Sequence, residues 1–347
     1  MKNENAIQKL LFDSIRERIP RHISLVNEIA DLLSISYDSA YRRLRCDKDL
    51  SIEEMKILSH HYRISIDSLF GETNADVMFH PFALKDQDNG FEEWLKLRVL
   101  EVKKMLESRT LELMVVARDL PIYYYFDFPE LAAFKLFFWK KMLVNHSNYH
   151  DKQYNINESP ENLLEIGKKL ISLYNRIPST EIWSQETFTK IMQQIEFCRV
   201  SGFFMHKHDA ITLFEKLETM IRHIQNQTEM GFKFNFGQEV EEDNDVNFTV
   251  YFNEVLLIDN TVFVNRDDKK TVFMTHNSLD ILLTTNPVFC RQVEHALRII
   301  MKTGNHISGT SGMECTGLFA PLYDNLVGVK KAGLSLRIVG ALIPPLL

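Results

Sequence analysis

At roughly 100–200 residues per domain, 347 residues make two or three domains, and a chain 45% hydrophobic and 25% charged has the balance of an ordinary globular protein. With 13 Gly, 10 Pro and four widely spaced cysteines (Cys46, Cys198, Cys290, Cys315), it is neither collagenous, low-complexity nor disulfide-stapled, and no Cys-x-x-Cys pair offers a zinc site. The net charge of −7 is uneven: residues 1–70 hold 11 basic and 11 acidic side chains and the remainder 29 and 36, which excludes nucleic-acid binding over the whole surface and leaves Arg42, Arg43 and Arg45 as the densest basic cluster.

Ile7–Ile19 reads as a first helix, with Leu11, Ile15 and Ile19 four residues apart and Pro20 as its stop. Val26–Leu33 follows as a second, with Ile29, Ala30 and Leu33 on one side. Ser34-Ile35-Ser36 interrupts, with Ile35 plugging the turn, and Ser36 caps a third helix, Tyr37–Arg45, whose first turn carries Asp38. On that helix Ala40 and Leu44 face inward, leaving Tyr37, Asp38, Tyr41, Arg42 and Arg45 outside. Ser51-Ile52-Glu53-Glu54 is a capping box for a fourth helix, Leu50 and Met55 have staple spacing, and Ile52, Met55, Leu58 and Tyr62 are its expected buried stripe. Ile64, Ile66, Leu69 and Phe70 close a small helical domain.

Two short helices joined by a tight turn, the second small within and polar outside, make a helix-turn-helix. Over Glu28–Phe70 the chain resembles the Cro/C1-type, lambda-repressor-like DNA-binding domain. The residues carrying the likeness are Ile29-Ala30-Asp31-Leu32-Leu33-Ser34-Ile35-Ser36, then Ala40, Arg42 and Leu44, then Leu50-Ser51 and Ile64-Ser65-Ile66-Asp67-Ser68-Leu69-Phe70. The run Ser36–Arg45 is similar to a subgroup of such domains at the N-terminus of bacterial transcriptional regulators. Ser34 and Cys46 stand where the family usually carries Gly in a left-handed conformation, at a cost of roughly 1 kcal/mol each.

The resemblance implies that helix 37–45 lies in the major groove. Arg42 or Arg45 would then bind guanine O6 and N7 in bidentate fashion, worth about 1–3 kcal/mol of discrimination. Tyr37 and Tyr41 would meet a thymine methyl or a phosphate, and Asp38 would accept from cytosine N4 or cap the helix. Ser36, Ser39 and Lys48 are the expected phosphate anchors, which set position rather than sequence. The competing reading makes the arginines a solvated face paired with Asp38 and Asp49, and the tyrosines core.

Residues 71–90, polar and irregular, read as a linker. From 91 to 230 the pattern is helical and suggests an irregular bundle. Trp94, Leu97 and Leu100, then Leu111, Met114 and Val115, mark one long helix or two joined ones, and Pro121 precedes the aromatic connection Tyr123–Phe128. Pro129 opens a helix with Phe134, Phe137, Phe138 and Met142. Ser159-Pro160 caps another through Tyr174, Ser184 caps the next, and Phe214, Leu217, Ile221 and Ile224 stripe the last. After the acidic loop Glu239–Asp245 the period becomes two. Phe248–Phe252, Val255–Ile258, Thr261–Val264 and Thr271–Thr275 predict an antiparallel meander, followed by a helix from Asn286-Pro287, a small α+β domain over 231–302. Residues 303–347 form a tail with no readable pattern. The fold class is therefore mainly α: a lambda-repressor-like domain over 1–70, a helical bundle, and a small α+β unit.

No catalytic constellation emerges, and neither a cofactor nor a metal is expected. His206 and His208, two apart, face different sides of a helix; Ser308–Gly312 lacks the Lys of a phosphate-binding loop. The aromatic runs Tyr123–Phe128 and Phe134–Trp139 read as core rather than as a ligand pocket. No secretory signal and no apolar stretch of about 18 residues is visible, so a cytoplasmic protein without a membrane partner is expected. The reading is a sequence-specific transcriptional regulator that binds double-stranded DNA as a homodimer. Its larger portion would dimerise and house the site of any effector, small molecule or protein. The alternative is an interaction scaffold with a helical docking platform and a non-reading N-terminal domain. An enzyme fused to such a domain ranks last.

Overall fold

The computed structural model describes residues 6–16, 18–20, 23–62, 64, 66, 69, 77–82, 90–144, 147–238, 246–255, 258–276, 279–309 and 313–331. Ser65, Asp67, Ser68 and Phe70 of the family-like run, most of the expected linker, the acidic loop 239–245 and residues 332–347 lie outside that set. The chain divides into two compact units, Met1–Met78 and Phe79–Leu347. It is mainly helical with one mixed sheet.

The first unit holds α1 (Ala6–Arg16), α2 (Leu25–Leu33), α3 (Tyr37–Leu44) and α4 (Ile52–Tyr62). Leu11, Phe12 and Ile15 from α1, Ile29 from α2, Ala40 from α3 and Leu58 from α4 meet in one core, closed by Ile64 and Leu69. Leu50 and Met55 pack against it as a staple should. Ile52, expected in the buried stripe, is instead 82% exposed. It is the first residue of α4, three positions before Met55.

The second unit is built on eight strands: β1 (His80–Phe82), β2 (Leu111–Ala117), β3 (Ser179–Trp183), β4 (Phe248–Phe252), β5 (Thr261–Arg266), β6 (Lys269–His276), β7 (Asp280–Thr284) and β8 (Asn305–His306). Their spatial order is β1-β7-β6-β5-β2-β3-β4-β8. The pairs β2·β3 and β3·β4 are parallel and every other pair is antiparallel. The long crossovers that parallel pairing demands are supplied by helices: α6 (Pro129–Met142) and α7 (Glu161–Tyr174) between β2 and β3, α8 (Glu186–Val200) and α9 (Lys207–Met230) between β3 and β4. Before β2 comes α5 (Gly90–Leu106), and after β7 come α10 (Pro287–Thr303) and α11 (Met313–Lys331).

This overturns the expected helical bundle over 91–230 beside a separate α+β domain over 231–302. Strands from both ranges share one sheet, β2 and β3 lying side by side between β5 and β4, and Leu111–Val115, read as helix, is strand β2. Leu113 to Ala117 are all buried, because helices cover both faces there, and such a strand reads as a continuous apolar run rather than an alternation. The meander is also smaller than expected. β5, β6 and β7 form it, turning through Asp267 and Asp268 at positive φ, whereas β4 lies across β2 and β3 from β5. Within the expected linker, His80–Phe82 pairs with β7, and the unread tail contributes α11, whose Cys315, Leu318, Phe319, Leu322 and Leu326 are core.

One sheet face, with Met114, Val116, Ile182, Phe263 and Val272, is covered by Cys290 and Leu297 of α10. Asn286 caps that helix as expected, accepting from the Phe289 amide at 2.9 Å. The other face supports the larger helical layer, in which Phe214, Leu217, Ile221 and Ile224 of α9 are buried as their spacing requires. Of the expected row Trp94, Leu97 and Leu100 on α5, Leu97 and Leu100 are exposed, and Phe91, Leu95, Val99 and Val102 join Trp94 in the core instead. The caps expected at Ser159 and Ser184 are not made: Pro160 and Gln185 hold those positions, neither with a side-chain hydrogen bond. Beneath α7 the carboxylate of Glu181, fully buried, accepts from Tyr124 Oη at 2.6 Å, Tyr174 Oη at 2.5 Å and Trp183 Nε1 at 3.0 Å.

Candidate nucleic-acid interface

The exposed strip on α3 depends on how its inner side is fastened. Ser34 follows α2 at φ 53°, ψ 45°, and the Ile35 amide returns to the Ala30 carbonyl at 3.0 Å, so the chain reverses in one residue. Ile35 then plugs the turn against the core. The positive φ expected where the family carries Gly is present at both Ser34 and Cys46 (φ 59°). Ser36 Oγ accepts from the Ser39 amide at 3.3 Å and sets the start of α3.

Arg43 does not belong to the surface cluster in which its sequence neighbours place it. It is 6% exposed and turned inward, donating Nε and Nη2 to the two oxygens of Glu54 at 3.0 and 2.6 Å and Nη1 to the Ser39 carbonyl at 3.1 Å. A planar guanidinium suits this forked contact. Glu54 also completes the capping box: it accepts from the Ser51 amide at 3.0 Å, while Ser51 Oγ accepts from the Glu54 amide at 3.1 Å. The Arg43 hydrogen bonds hold the Glu54 carboxyl below its ordinary range. One carboxylate therefore starts α4 and locks α3 to it.

Gln8 of α1 is a second fastening. Buried, it donates Nε2 to the carbonyls of Arg43 at 2.8 Å and Lys48 at 2.9 Å and accepts from the Leu50 amide at 2.9 Å. The segment after α3 is thereby held by a side chain some forty residues away. The available signal was its place among apolar neighbours on α1: Leu11, Phe12 and Ile15 lie three, four and seven residues on.

With the back of α3 pinned, Ser36, Tyr37, Asp38, Tyr41, Arg42, Arg45 and Lys48 are exposed and Ser39 is half-buried. Tyr37 and Tyr41 stack with ring centroids 6.4 Å apart and planes 7° from parallel. The Arg45 guanidinium lies 5.9 Å from the Tyr41 ring centre and Nε is 3.5 Å from Asp47 Oδ2. The core role that the competing reading gives the tyrosines does not hold, since 59% of Tyr37 and 43% of Tyr41 face water. Positions 37, 41 and 45 thus form one ridge and 38 and 42 the row beside it, as four-residue spacing on a helix dictates. Chemically, the strip offers two guanidinium forks, two phenol hydroxyls and a carboxylate on a rigid element.

Compared with known proteins, the chain matches no family model, and neither a curated protein nor a solved structure matches it. No helix among the described residues is long and apolar enough to cross a membrane.

Proposed function

We propose that the protein is a sequence-specific, DNA-binding transcriptional regulator of the cytoplasm. Its N-terminal unit would be a lambda-repressor-like domain that reads the major groove with helix 37–45. The observation that carries this is the sorting of α3: Ala40 and Arg43 are buried and fastened, while Tyr37, Asp38, Tyr41, Arg42 and Arg45 share one exposed strip. A solvated charged helix needs neither stacked exposed tyrosines nor a clamp behind it, and base readout needs a helix whose orientation does not drift. Arg42 and Arg45 would read guanine, and Ser36, Ser39 and Lys48 would hold phosphates.

With only a handful of phosphate contacts per module and an acidic remainder, a single copy binds weakly at physiological salt. Pairing across a two-fold axis supplies the affinity. Half-sites would lie about one helical turn apart, 10–10.5 base pairs or a multiple. Selection of bound duplexes from random DNA at two salt concentrations tests the reading. The expected result is a palindromic consensus, retained by the Arg42→Lys protein only with relaxed preference at one position. Equal retention of all sequences would favour a scaffold with a non-reading N-terminal domain.

A further inference from the structure

Between α5 and the sheet, over β2, β5, β6 and β7, the second unit forms a partly open pocket of about 180 Å³. It would hold roughly six waters at about 30 Å³ each. Its walls are chiefly apolar: Trp94, Tyr123, Trp139, Val262, Phe273 and Ile281 come from five elements and the loop before α6. Six scattered waters would find few hydrogen-bonding partners on such walls.

Two ion pairs involve its lining residues. Arg98 Nη1 lies 3.0 Å from Glu101 Oε2, and Asp119 receives Lys135 Nζ at 2.9 and 3.1 Å. A ligand carrying a charge would break one of these pairs or enter without a counter-charge, and both are unfavourable where apolar walls limit its solvation. An uncharged ligand meets neither obstacle. At the cavity wall, Trp94 is 91% buried and its Nε1–H finds no acceptor among the described residues. Buried indole N–H groups normally have a partner.

We infer that this cavity is a binding site for a small, uncharged aromatic molecule with one carbonyl-type hydrogen-bond acceptor. The aromatic walls provide edge and face contacts for a single ring, and the indole N–H provides the polar anchor that orients it. The site belongs wholly to residues 79–347 and does not depend on the DNA-binding reading.

Calorimetric titration of the full chain, without DNA, tests it with three probes of similar size: acetophenone, toluene and benzoate. The expected result is saturable binding of acetophenone, with toluene at least about fivefold weaker for lack of an acceptor and benzoate at least about tenfold weaker because of its charge. Trp94→Phe keeps a ring but removes the donor, and brings acetophenone down to the toluene level. Thr275→Trp, placed on the half-buried wall residue of β6, fills the space and abolishes binding. Benzoate binding as tightly as acetophenone, no saturable acetophenone binding, or unchanged acetophenone affinity in both variants would overturn the assignment. Since Trp94→Phe and Thr275→Trp perturb different elements, a folding failure of one leaves the other to decide.

Discussion

Replacing Arg43 by alanine removes three hydrogen bonds at once and leaves Glu54 facing a gap. Truncating one partner of a fully buried ion pair costs about 3–5 kcal/mol. Here the Arg43 side chain is 7% exposed but Glu54 17%, so water reaches the abandoned carboxylate and lowers the penalty. Glu54 also keeps its capping bond to the Ser51 amide, which the substitution does not touch. The loss of stability in the first unit should therefore be about 2–3 kcal/mol. Arg42→Ala, one residue away and exposed, should stay within about 0.5 kcal/mol of the parent. Under the proposed DNA-reading role, Arg42→Ala should instead lose about 1–3 kcal/mol of discrimination between duplexes, roughly 5- to 150-fold. Urea unfolding of the full chain can separate the units, because all three tryptophans (Trp94, Trp139, Trp183) lie in the second. Far-ultraviolet dichroism that changes without tryptophan fluorescence reports the first. Equal destabilisation by Arg42→Ala and Arg43→Ala, or less than about 0.5 kcal/mol for Arg43→Ala, would refute the division of labour between these neighbours.

At the two left-handed positions, Ser34→Gly and Cys46→Gly should each stabilise the first unit by up to about 1 kcal/mol in the same urea assay, the relief of left-handed strain outweighing the added freedom of the unfolded chain. On α4, Ile52→Glu should be silent within about 0.5 kcal/mol, whereas Leu58→Ala should cost about 2–5 kcal/mol, a contrast readable from thermal melts. His223 of α9, half-buried with Nε2 3.1 Å from the Phe234 carbonyl, is held down to about 4 from 6.5 chiefly by burial. The unfolded chain therefore binds more protons between those values, so stability rises with pH across that window and is lost as pH falls through it. Between pH 7 and 5 the loss from this group should be on the order of 2 kcal/mol. Tryptophan-detected urea titrations at the two pH values should show that slope flattened in His223→Phe, and an identical slope in the variant would reject the assignment.

What could be read from the sequence was mostly local. The capping box at Ser51 and Glu54, the Asn286-Pro287 helix start and the left-handed residues after α2 and α3 each depend on neighbours within a few positions, and all are present. Local sequence does not carry the destination of Arg43, whose partner is eleven residues away across a turn. Beside Arg42 and Arg45 it looks like one more surface charge, although it lies three residues from the inward Ala40 and on the same side. The sheet was the larger omission. β2 is apolar on both faces and offers no alternation, and β3, Ser-Thr-Glu-Ile-Trp, is only five residues long with a glutamate at its centre. That glutamate is buried because Tyr124 and Tyr174 reach it from two other elements and Trp183 from two residues along its own strand. The cavity under α5 was illegible for the same reason: its walls are far apart in the chain, and its aromatic residues individually resemble core.

The sheet's margins have a consequence of their own. Eight strands in register would ordinarily leave two long rows of unsatisfied amides and carbonyls, a template on which another polypeptide could add. Here the outermost strands are three and two residues long, and Pro81 sits in the middle of the longer one without an amide hydrogen to offer. A broad β-structure is thus finished at either rim by a stub, and growth by strand addition is discouraged at both ends. Association of two copies is thereby steered toward helical or loop surfaces rather than extension of the sheet.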